Sequence, residues 1–294
     1  MTSTQAQDVP RRRRWWASCA KTIGFCTRHA GPGRGATHAS HGRTWMCALG
    51  LRVAGTAQRN ARIQRFKLAL VAVVVTSTAT ADELKPFQAS YDWIWHGMTV
   101  AVSKLQLQQQ DNKWVYRSRS EPRGLGRMFS ERPVSESVLE VTPEGVHPLS
   151  YKADDGTPAS KRDANIQYDW MNNRVSGVNE DAKVDMPIPP GIQDDLSVQI
   201  ALMVALMRGQ TPDKFSLLSG NTVREYRYSR EGEESLSTPI GIIPTIVYRS
   251  EKQYSPRVTR FWCAPSLGYI PLKVQQTRNH DVEWTMQVQS VQRE

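Results

Sequence analysis

After Asp82 the sequence has almost no cysteine: Cys263 stands alone in the last 213 of its 294 residues. A single thiol closes no internal disulfide, so this stretch must be held by its core, and it is long enough to bury one. Long apolar runs are also missing. The longest, Leu68 to Val75 and Ile200 to Met207, are eight residues each, whereas a helix needs roughly 20 to cross a bilayer. The sequence contains no His-Glu-x-x-His, no Gly-x-Ser-x-Gly and no glycine-rich phosphate loop, the patterns that metalloproteases, hydrolases and nucleotide enzymes need. His96, His147 and His280 are scattered, none near another His or Cys at metal-ligand spacing. These absences predict a protein that is not an enzyme and holds neither metal nor cofactor.

Acid is what the first 81 residues lack. They carry 13 of the 38 Lys/Arg but only one of the 28 acids, Asp8. Residues 82–294 balance the remaining 25 bases against 27 acids, so the formal net charge of +10 belongs to the leader. A basic pI then gives no argument for nucleic-acid binding by the rest. The order Arg62-Ile63-Gln64-Arg65-Phe66-Lys67, the apolar Leu68–Val75 and the small-residue exit through Ala79-Thr80-Ala81 is that of a secretory signal peptide. We therefore expect a signal peptide at 62–81, cleavage after Ala81 and a periplasmic domain over 82–294. Residues 1–61, without periodicity, read as a disordered extension or as a start assigned too far upstream. A twin-arginine signal before Trp15-Trp16 fits poorly because the segment after it is barely apolar. The spacing of Cys19, Cys26 and Cys47 with His29, His38 and His41 does not match paired zinc knuckles.

Over 82–294 the dominant period is two. Val282, Trp284, Met286 and Val288 alternate with Glu283, Thr285, Gln287 and Gln289, which makes a strand with one wet face. Ala101–Gln108 and Trp114–Ser120 alternate likewise, and strands are also readable at Phe87–Trp95, Val134–Val141, Lys161–Trp170, Thr222–Ser229, Thr245–Lys252, Val258–Cys263 and Tyr269–Gln276. Asn172-Asn173 and Gly220-Asn221 are hairpin turns. One segment breaks the pattern: after Pro189-Pro190-Gly191, either Asp194 or Asp195 can cap a helix running to Gly209. Leu196, Ile200, Val204 and Met207, widened by Leu202 and Leu206, make it apolar around most of its circumference, so it must be buried. The predicted fold is mainly β: a strongly curved antiparallel sheet, an open or half barrel, packed around one buried α-helix at about 194–208.

Four blocks carry a family resemblance. They are Ser118-Arg119-Ser120-Glu121-Pro122 with Gly124-Leu125; Pro189-Pro190-Gly191-x-Gln193-Asp194-x-Leu196-Ser197-Val198-Gln199; Glu225-Tyr226-Arg227-Tyr228 with Glu233-Glu234 and Thr238-Pro239-x-Gly241; and Trp262-x-Ala264-Pro265-x-Leu267-Gly268-Tyr269-x-Pro271. Together, from Phe87 to Gln276, they resemble the bacterial exported proteins called domain of unknown function 3108. The resemblance implies an uncharacterised, mostly β envelope protein and brings no catalytic residues.

Candidate sites are therefore binding surfaces. A curved sheet around one helix offers a concave apolar interior, and by analogy of fold such exported proteins carry hydrophobic molecules. Trp114, Met203, Met207 and Trp284 are the expected wall, Met because its unbranched chain adapts to irregular ligands. Arg117 and Arg119, with Arg123, Arg127 and Arg132, are set to read phosphate or carboxylate, unless they only face water. Glu231, Glu233 and Glu234 around Gly232 read as a solvated loop, with a weaker case for Ca²⁺. Asp194-Asp195 read as a helix cap before paired catalytic carboxylates, and Asp154-Asp155-Gly156 as a turn. The expected function is an exported, non-enzymatic envelope protein carrying an apolar or lipid-like ligand. The alternative is a packed scaffold whose partner is an envelope protein.

Overall fold

The computed structural model describes residues 83–129 and 131–294; the expected extension and signal peptide lie outside the described residues. The chain forms strands β1 (Phe87–Trp95), β2 (Met98–Gln110), β3 (Lys113–Pro122), β4 (Val134–Thr142) and β5 (Gly145–Asp154). Next come β6 (Ala164–Asp169), β7 (Arg174–Asn179), β8 (Ala182–Pro187) and the two-residue β9 (Ile192–Gln193). Helix α1 (Ser197–Met207) leads into β10 (Lys214–Ser219), β11 (Thr222–Thr238), β12 (Gly241–Lys252), β13 (Arg257–Ala264), β14 (Ile270–Arg278) and β15 (Asp281–Arg293).

All fifteen strands belong to one sheet, ordered β8 back to β1, then β15 back to β9. The first and last strands thus lie side by side at its centre, Phe87 opposite Arg293. Adjacent strands rotate by about 20–25°, so a sheet this wide must curl rather than lie flat. Its two edges, β8 and β9, are separated in sequence only by residues 188–191 but are not hydrogen-bonded to each other. Instead the β9 edge tucks against β5, where Gln193 Nε2 donates to the Val146 carbonyl at 2.8 Å. The fold is the mainly β, open, curved sheet around a buried helix that the periodicity predicts. The parallel pairing of β9 with β10 is the exception to its antiparallel pattern among the described residues.

Alternation explains the strands that were legible. Phe87, Ala89, Tyr91 and Trp93 face the core from β1, and the cross-strand neighbours of Phe87 and Ala89 are Leu107 and Leu105. Short turns join many of the strands. In four two-residue hairpins both turn residues take positive φ: His96-Gly97, Asp111-Asn112, Glu180-Asp181 and Asn279-His280, the backbone that matches strand twist.

Several expected boundaries move. Strand β5 is not among the expected strands, and it carries Pro148 in its interior. The proline is accommodated opposite Leu139, where the register of β4 and β5 shifts, as a ladder without its N–H requires. Strand β11 runs on to Thr238 past the glutamates that read as a loop. A bulge between Arg230 and Gly232 absorbs the extra residue, and Glu231 pairs with Arg260 at 2.6 Å. The helix starts at Ser197, three residues after the expected first residue, and ten of its eleven residues are buried.

Candidate functional site

Helix α1 packs against β4, β5 and β9. Its first turn is tied to β4 by Asp194. One carboxylate oxygen accepts from the backbone N–H of Leu196 (2.8 Å) and Ser197 (2.7 Å), and the other accepts from Ser137 Oγ at 2.7 Å. Ser197 Oγ accepts from the Asp194 N–H at 2.8 Å, so two orphan donors at the helix start are satisfied reciprocally. Burial pushes the Asp194 carboxyl above its ordinary value, against the opposing pull of these hydrogen bonds. This geometry is that of a helix cap. At the other end Gly209 turns with φ +68°, and Arg208 donates to the carbonyls of Thr142 (2.8 Å) and Pro143 (3.1 Å) in the β4–β5 turn.

The seat beneath the helix combines apolar and phenolic side chains. Trp114 stands opposite Leu139 and Tyr116 opposite Ser137, with Tyr151 opposite Ser137 on the next strand. Burial drives the phenols of Tyr116, Tyr151 and Tyr168 far above their ordinary value. The Tyr168 hydroxyl and Gln193 Oε1 are buried with no hydrogen-bond partner, while the Tyr116 phenol and the Gln199 carboxamide face each other.

The structure brings together only part of the expected wall. Trp114 and Met203 are buried and Met207 packs half-buried against the same core. Trp284 lies elsewhere. Trp114 is opposite Gln109, beyond the residue that faces Phe87 at the start of β1. Trp284 precedes Met286, which faces Trp93 near the end of β1. The offset is about 30 Å along the strands at roughly 3.3 Å per residue. There Trp284 packs against Trp93 with ring planes tilted at 44° and centroids 5.0 Å apart, and it donates to Gln276 Oε1 at 3.2 Å. Strand register thus sets the two indoles far apart along the strands, within the one core that both join.

Arg117 and Arg119 point outward, as their alternation predicts. With Gln88, Lys104 and Gln106 they line a cleft of about 190 Å³ on the outer face of β1–β3. Arg117 is held by Glu136 of β4, while Arg123 lies 3.7 Å from Glu121. Sequence reasoning missed Lys104, Gln88 and Gln106. Their alternation showed which face they occupy, but only the pairing register shows what they stand beside. Farther along, Asp154, Asp155 and Asp163 bring carboxylate oxygens within 4.8 Å. Arg162 occupies Asp155 at 2.9 Å and backbone amides of Gly156 and Asp155 engage Asp154 and Asp163, so the group closes the turn expected there.

Across the described strands, a family profile for "Protein of unknown function (DUF3108)" matches residues 86–281. The chain belongs to the DUF3108 family. No curated protein matches it. Among solved structures, this DUF3108 chain is similar to a β-barrel-like DUF1849 protein from Brucella abortus, at 8% identity over 72% of this chain and 99% of that one, TM-score 0.47. It is also similar to a protein from Bacteroides fragilis with a YmcC-like fold, at 9% identity over 71% of this chain and 97% of that one, TM-score 0.32.

Proposed function

We propose that this DUF3108 protein is an exported, non-enzymatic module of the cell envelope that acts through its surface, with a partner among envelope proteins. The observation that carries this reading is the state of the interior. Trp114, Met203 and Trp284, the side chains best suited to wall a ligand pocket, are 9%, 1% and 4% exposed and belong to one continuous core. A helix buried on nearly every side fills the space a carried molecule would need.

A second reading, a carrier of an apolar or lipid-like molecule, has one specific support. The Tyr168 hydroxyl and Gln193 Oε1, buried without a hydrogen-bond partner near the start of α1, carry a desolvation cost of about 1–3 kcal/mol each, which a polar head group entering as the helix shifts would relieve. Native mass spectrometry of the full-length chain, expressed with export intact and recovered from the periplasm, separates the two. The surface reading expects a bare polypeptide beginning at Asp82. A lipid-sized adduct that a folded Met207→Glu variant loses would replace it with the carrier. A mass retaining residues 1–81, found only in the cytoplasm, would remove export from both.

A further inference from the structure

Lys104 of β2 and Arg119 of β3 stand directly opposite one another. Both are exposed on the outer face of the sheet. Like charges facing across a strand pair oppose the pairing, so this arrangement works against the fold unless something negative lies between them. The carboxylates nearest on that face are engaged: Glu136 holds Arg117 and Glu121 lies beside Arg123. Asp92, one step along the same face of β1, forms no ion pair with Lys104, and neither Lys104 nor Arg119 has a carboxylate partner among the described residues. Around the two cations, Arg117 and the carboxamides of Gln88 and Gln106 complete the cleft, and its lining contains no acidic side chain.

We propose that this cleft binds a phosphate oxyanion, either free phosphate or the phosphate of a lipid head group. Arg117, with its Nε anchored on Glu136, keeps its terminal N–H groups in a fixed plane. Arg119 can present a second guanidinium fork and Lys104 a compact point charge. The carboxamides add neutral N–H donors that do not alter the charge. Three cations arranged around one space suit a tetrahedral anion with several oxygens better than a planar carboxylate, which one Arg fork satisfies. At about 190 Å³ the cleft fits a phosphate group with its nearest waters and is smaller than the ~300 Å³ at which drug-sized ligand sites begin. This site is on the outer face and does not depend on whether the interior is packed or carries a ligand.

The test compares the purified full chain with Lys104→Gln/Arg119→Gln. Inorganic phosphate is titrated calorimetrically at low ionic strength, and co-sedimentation is measured with vesicles of phosphatidylcholine alone or with added phosphatidylglycerol. The wild type should bind phosphate, or prefer the phosphatidylglycerol vesicles, and the double variant should lose at least ten-fold in affinity. Saturable phosphate binding without vesicle preference assigns the free anion; vesicle preference without phosphate binding assigns the lipid head group. The thermal midpoint of the double variant should equal or exceed that of the wild type, because a facing pair of like charges has been removed. Equal binding by both proteins, or no binding to either probe, overturns the site. The basic residues of the leader are common to both chains, so they cannot produce the difference.

Discussion

Asp194 is a buried carboxylate whose role was half legible. Its position ahead of an apolar helix announced a cap, but its second partner, Ser137, lies 57 residues away and no local pattern points to it. Burial raises its folded pKa above the unfolded 3.8, so the folded state holds the proton more tightly. The stability this group contributes is therefore complete below about pH 3.8 and is lost as pH rises through the folded value. Asp194→Asn retains an acceptor for the two helix N–H groups and can donate to Ser137, but takes up no proton. In urea melts from pH 4 to pH 8, the wild type should lose stability relative to Asp194→Asn, and Asp194→Ala should be less stable than either by about 1–3 kcal/mol. Parallel pH profiles for wild type and the asparagine variant would show that the carboxyl is not desolvated. Cys263, between Trp262 and Ala264, is fully buried, and burial pushes its thiol up to about 12, which disfavours the reactive thiolate.

Among elements, those with uninterrupted alternation were readable to the residue, as β1 was at Phe87–Trp95. Several of the others break a local rule that pairing repairs. Pro148 sits at a register shift in β5, and β7 and β8 turn through Glu180-Asp181 without a glycine at their hairpin. In β11 the glutamates that look solvated have partners: Glu231 pairs with Arg260 of β13, Glu233 with Arg230 of its own strand, and Glu234 accepts from Trp262 Nε1. Gly177 of β7 shows how tight this pairing is. It has φ +135°, and an added Cβ would lie 2.0 Å from the Asn165 carbonyl oxygen of β6. Gly177→Ala should cost about 2 kcal/mol or more in denaturant unfolding, from collision added to backbone strain. Gly145→Ala, at φ +143° with nothing within 4 Å, carries the strain alone and should cost less. Equal costs for the two would mean that β6 and β7 do not approach so closely.

Over the whole molecule, the topology ties the ends of the described chain into the middle of the sheet. Strands β1 and β15 pair over Phe87–Ile94, so the two halves share their central ladder and one core. Contacts so distant in sequence form late and slowly. Deleting residues 281–294 would strip β1 and β14 of their shared neighbour and leave two open edges with exposed apolar faces. We expect this truncation to abolish cooperative unfolding by circular dichroism, rather than only to lower the midpoint. A sharp transition in the truncated chain would mean that β1–β8 or β9–β14 folds alone.

The sequence by itself determined the class of the fold, most of its strands, the buried helix and its acidic cap. Each of these rests on periodicity or on contacts within a few residues, and those are written along the chain. Tertiary structure alone decided that β15 joins β1, that Trp284 lies far from Trp114, and that Lys104 faces Arg119 beside Arg117. Register sets all three. A shift of two residues preserves every inward and outward position in a strand while moving each side chain to a new neighbour. Alternation could therefore announce the wet and dry faces, but which residues meet across them waited for the strands to pair.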